Sequence, residues 1–97
     1  MRDRLRTRFV RSVGEIARYW QNAGKPESAV DLLERALEAD GLAESLYRHL
    51  MLCHAQARRQ AEAVETFNRC RKALAAALKV EPSAETRALY EKILQLS

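Results

Sequence analysis

His49, His54, Cys53 and Cys70 are the imidazoles and thiols of this 97-residue chain, the side chains that most readily hold a transition-metal ion. Zinc needs ligands converging on one tetrahedron. The two histidines stand five residues apart, which on a helix turns them about 140° away from each other. The cysteines lie 17 residues apart inside helical patterns. No Cys-x-x-Cys pair brings a second thiolate, so both read as reduced, buried, small hydrophobes, and no metal is expected. Catalysis finds no better footing. Glu34 and Glu38 beside Arg35, and Glu62 and Glu65 with Arg69, sit among bases at helical spacing, the pattern of a solvated face with weak ion pairs. No serine, cysteine or lysine has an evident base beside it, and no glycine-rich loop is built to cradle phosphates. Neither an enzyme nor a cofactor is expected.

The remaining chemistry is cationic. Residues 1–24 carry six arginines against Asp3 and Glu15, net +4; residues 25–40 come to −3, residues 41–80 to +4, and residues 81–97 to −1. This is a mosaic with a basic N-terminal segment, not one uniformly basic face. Arg4, Arg8, Arg11 and Arg18 fall near one helical face, as a nucleic-acid surface would require. No aromatic interleaves with them to stack on bases, so a solvated face is the better reading and contact with DNA is not expected.

These groups must be positioned by helices. The chain is rich in Ala, Leu, Arg and Glu, has only three glycines and two prolines, and lacks alternating runs of β-branched residues. A chain this long can bury a core without staples. Helix one is expected over about 3–23, with Leu5, Phe9, Val13, Ile16, Ala17 and Trp20 on one stripe. Pro26 suits the first turn of a second helix ending near residue 39, and Asp40 is placed to cap the third. That third helix uses Leu42, Leu46, Leu50 and Cys53 and ends near Ala57, in a polar turn, Arg58-Arg59-Gln60, without a left-handed cap. A long fourth helix starts near Gln60. A loop over residues 79–83 follows, and Ser83 caps a fifth helix carrying Leu89, Tyr90, Ile93 and Leu94. No apolar stretch reaches the roughly 20 residues needed to cross a bilayer, and no secretory signal opens the chain, so a cytoplasmic location without membrane contact is expected.

Shifting the sequence by 34 residues sets Ala23 on Ala57, Ala29 on Ala63, Val30 on Val64, Leu33 on Phe67, Arg35 on Arg69 and Ala36 on Cys70. Small residues fall on small ones and large apolar residues on large ones. These positions resemble the tetratricopeptide repeat, a 34-residue pair of antiparallel helices. The resemblance implies an all-α, right-handed array of helix hairpins, with repeats at about 10–43 and 44–80 and a capping helix at about 83–95, as a single domain over 1–97. The second unit departs from the pattern, with Met51 where a small residue is usual and His54 where an aromatic is usual.

The segment Leu78-Lys79-Val80-Glu81-Pro82-Ser83-Ala84-Glu85-Thr86 is more specific. With Phe67, Cys70, Arg71, Leu74 and the basic opening, it resembles the bacterial transcriptional activation domain. That resemblance implies the C-terminal part of a larger transcription regulator, with Met1 as an added start. It also implies work through protein contacts: self-association, neighbouring domains or the transcription machinery.

The tetratricopeptide resemblance implies further that the first helix of each unit lines a concave groove. Arg11, Arg18, Gln21 and Asn22 from unit one would face it, with Arg48, Leu52 and Gln56 from unit two. Three guanidiniums with amides suit carboxylates, so the alternative to a transcription module is a general adaptor holding an acidic peptide. Helical solenoids also need about three repeats to close a core. With two, the outer side of helix one, including Leu5 and Val10, is expected to be covered, and a homodimer is the leading means.

Overall fold

In a computed structural model the chain forms α1 (Arg2–Asn22), α2 (Pro26–Ala39), α3 (Glu44–Gln56), α4 (Gln60–Leu78) and α5 (Ala84–Leu94). The structure describes residues 2–96; Met1 and Ser97, and the side chains of Arg2 and Asp3, lie outside the described residues. Antiparallel hairpins α1–α2 and α3–α4 stack, α1 and α5 flank α3, and α2 and α4 lie behind. This is the all-α hairpin array expected from the repeat, with α5 closing one end.

Small residues let the helices approach. Ala17, Ala29, Ala63 and Cys70 are fully buried. Around them Val13, Leu33, Leu37, Leu46, Tyr47, Leu50 and Leu74 make the main core. A second cluster joins Met51, Ala63, Phe67 and Ile93 beneath α5, where Tyr90 stacks on Phe67 at 4.0 Å between ring centres. Met51 is thus fully buried although it occupies a position that usually takes a small residue.

The two hairpin turns are the same turn repeated. Gly24 has φ 77° and Arg58 has φ 61°. In the first, Gly24 N–H donates to Gln21 O and Lys25 N–H to Trp20 O; in the second, Arg58 N–H donates to Ala55 O and Arg59 N–H to His54 O. The turn after α3 therefore does have a left-handed residue, against the expectation. These two backbone bonds hold Arg58 in a conformation that costs a non-glycine residue about 1–2 kcal/mol.

Asp40 does not cap α3. It takes the C-cap position of α2, while Ala43 precedes α3 with no side-chain cap. Its carboxylate accepts from Arg6 Nε at 2.6 Å, from Arg6 Nη2 at 2.7 Å and from the Leu42 N–H at 3.3 Å. The competing partner is 34 residues away, and a bidentate arginine outweighs a neutral cap bond. Arg69 forms a second two-bond pair with Glu34, at 2.8 and 2.9 Å, tying α4 to α2.

These pairs set an acid limit. The Arg6 guanidinium holds the Asp40 carboxyl below its ordinary range, against the opposing effect of burial, and Arg69 does the same for Glu34. A carboxyl depressed in the folded state contributes stability above its unfolded value, near pH 4, and loses it as pH falls through the folded value. The melting temperature is therefore expected to hold through neutrality and fall below about pH 4. Asp40→Asn should flatten that acid slope in calorimetric scans.

Candidate protein interaction site

Between α1, α3 and α5 lies a cleft of about 400 Å³, lined by Arg18 of α1, Arg48, His49 and Leu52 of α3, and Glu85 and Lys92 of α5, among others. A second depression of about 480 Å³, which includes Val10, Arg11 and Gly14, shares Ser45 and His49 with it, so the two form one continuous surface. Gly14 is what lets α1 pass so near: a Cβ there would stand 2.8 Å from His49 Nε2. Burial, with Arg18 and Arg48 nearby, pushes the His49 imidazole below its ordinary value, so it is neutral at pH 7.

The expected groove residues divide into three sets. Arg18 and Leu52 line the first depression and Arg11 the second. Gln21 and Gln56 spend their side-chain amides on each other across α1 and α3. Asn22 is exposed at the end of α1 and lines neither depression. Arg48 is in the cleft but engaged: its Nη1 donates to Thr86 Oγ1 at 2.8 Å, and its Nε lies 3.4 Å from Glu85 Oε2.

That engagement explains the tail motif. Glu44 Oε1, at the start of α3, accepts from the Thr86 hydroxyl at 2.7 Å and from the Ser83 N–H at 2.9 Å. Ser83 Oγ also caps α5 by accepting the Thr86 N–H. Pro82 and Thr86 are buried. Burial raises the Glu44 carboxyl, but the bonds from Ser83 and Thr86 outweigh it and the net shift is downward. The motif is a clasp that fastens α5 to α3, while its Leu78 and Val80 stay exposed.

Nothing in the sequence pattern singles out Glu44 or Lys92, and His49 stands out there only as a metal ligand without partners, not as part of this cleft. One signal was present for His49: a glycine inside a strong helical pattern, Gly14, marks a close backbone approach. Cys53 and Cys70 are buried free thiols pushed up to about 11 by burial, which leaves them unreactive. Among the described residues no three His, Cys, Asp or Glu side chains are grouped to hold a metal, and no helix is long and apolar enough to cross a membrane.

The outer side of α1 is a second candidate surface. Val13 and Ala17 turn inward, and Val10 and Trp20 are partly buried against the core. Leu5, Phe9, Ile16 and Tyr19 do not join them; they are 67%, 42%, 47% and 65% exposed. The expected single stripe is thus split, with Val10 on the packed edge and Leu5 on the open one.

Comparison with known proteins places this architecture. Residues 1–94 match the model of the family described as the bacterial transcriptional activator domain. The chain is 36% identical over 72 residues to the transcriptional regulatory protein MoaR1 of Mycobacterium tuberculosis, and equally to that of Mycobacterium bovis; the matched stretch covers 74% of this chain and 23% of each relative. Its structure is similar to that of Mycobacterium tuberculosis EmbR in complex with a low affinity phosphopeptide, with a TM-score of 0.75 and 26% identity, over 97% of this chain and 24% of that one. The chain spans about a quarter of the length of these relatives.

Proposed function

The chain belongs to the bacterial transcriptional activator domain family, and from that premise we propose that it is the protein-interaction module of a larger cytoplasmic regulator of transcription, pairing with a second copy through the outer face of α1. The module comprises both hairpin repeats and the closing helix. The observation that carries this reading is the row Leu5, Phe9, Ile16 and Tyr19, four large apolar side chains exposed along one edge of one helix. Large side chains scattered singly need no explanation, but a contiguous row marks a surface that is covered in use. Phe9→Glu and Ile16→Glu are expected to convert the dimer to monomer in sedimentation velocity without lowering the melting temperature. Dimers that survive both changes would remove α1 from the interface. A monomeric wild type would transfer the face to a neighbouring domain or the transcription machinery.

A second reading is favoured by Glu85, whose carboxylate already lies against Arg48 in the cleft. An acidic peptide supplied by a partner would find Arg18 and Lys92 there, neither with a carboxylate partner among the described residues. Arg11 extends the same surface. Arg18→Glu and Lys92→Glu should each weaken a fluorescein-labelled Asp/Glu-rich peptide about tenfold in anisotropy titrations. Unchanged affinity in both would dismiss the cleft. Arg48→Glu is a poor probe of it, because it would also break the α5 clasp.

A further inference from the structure

The exposed row on α1 has an internal order that says how two copies would meet. Leu5, Phe9, Ser12, Ile16 and Tyr19 follow one another at spacings of four, three, four and three, the repeat of a coiled-coil seam. All five are exposed. On an α-helix they occupy an arc of about 80°. Arg8 and Glu15 stand seven residues apart on one flank of that seam, both exposed. The other flank, with Val13 and Trp20, is packed into the protein.

Resting on the self-association proposed above, we infer that two copies pair through antiparallel α1 helices about a two-fold axis beside Ser12, with Arg8 of each facing Glu15 of the other. In that arrangement Phe9 meets Ile16 of the second copy and Leu5 meets Tyr19, so the same patch serves both sides as an isologous interface requires. Antiparallel pairing brings residues on the same flank together, and this flank holds one charge of each sign equally far from Ser12, within one residue. A parallel pair would instead set the Arg8 flank against the packed flank of the second copy and leave both charges unanswered. Ser12 at the centre is small enough for the helices to approach closely.

The test is site-directed crosslinking combined with charge reversal in the full chain. Ser12→Cys should form an intermolecular disulfide on mild oxidation, with Cys53 and Cys70 silent because both are buried. Leu5→Cys should not, since antiparallel pairing separates the two positions by about 20 Å along the axis. Arg8→Glu and Glu15→Arg should each weaken dimerisation about tenfold, because the symmetry repeats every contact, and the double variant should recover to within about twofold. Crosslinking through Leu5→Cys, or charge reversals that leave a dimer undisturbed or are not mutually corrected, would overturn the register while leaving self-association standing. A chain monomeric at every concentration would overturn both.

Discussion

Leu50→Ala lowers the unfolding free energy by about 2–5 kcal/mol, a large share of the roughly 5–15 kcal/mol that holds a small domain folded. The reason is position. α3 is the one helix that packs against all four others, and Leu50 lies near its middle with no exposed surface. Its removal leaves a cavity in the main core, whose other members come from α1, α2 and α4 as well as α3, and none of these helices can move in without leaving another neighbour. For a domain of this size each kcal/mol shifts the melting temperature by about 4–8 °C, so a fall of about 10 °C or more is expected in thermal denaturation. Leu52 provides the control. It lines the cleft two residues along the same helix and is only partly buried. Leu52→Ala should cost less than about 1 kcal/mol. Equal losses from the two variants would mean that α3 is not the axis of the core.

Glu44→Ala is expected to cost about 2–3 kcal/mol, with its effect concentrated in α5. One carboxylate oxygen accepts from both the Thr86 hydroxyl and the Ser83 amide; a bond to a charged acceptor contributes about 1.5–3 kcal/mol net, and the exposed Ser83 can regain water while Thr86 cannot. Thr86 is fully buried, so water cannot take the place of Glu44, and the neutral Ser83 hydroxyl 3.3 Å away is the weaker acceptor left to it. Arg48 keeps Thr86 as an acceptor and Glu85 as a neighbour, which prevents complete detachment. Native-state hydrogen exchange should therefore show faster exchange through Ala84–Leu94 and unchanged protection in α2. Thr86→Val, which keeps the shape and removes the hydroxyl, should give the same pattern. Uniform loss across all helices in both variants would show that the clasp does not act locally.

Much of the helical frame was legible because several signals agreed. Pro26 and Ser83 mark helix starts, and the 34-residue register aligns the buried Ala29 with Ala63 and Ala36 with Cys70. What failed did so for identifiable reasons. The apolar arc of α1 is wider than the core can accept, and periodicity does not say which edge is buried; Val13 and Ala17 went in, while Leu5, Phe9 and Ile16 stayed out. Arg58 adopts a left-handed conformation that nothing in its side chain announces. Asp40 was lost as a cap, and Arg48 as a free groove cation, to partners 34 and 38 residues away. A charge pattern along one helix identifies what a residue can bind. It does not identify what the fold has already placed against it.

Self-association through α1 is decided by the solution mass of the wild-type chain, measured by light scattering across a concentration series. If two copies pair, the mass rises with concentration to twice the 11.1 kDa of the chain. A mass fixed at 11.1 kDa throughout would contradict self-association.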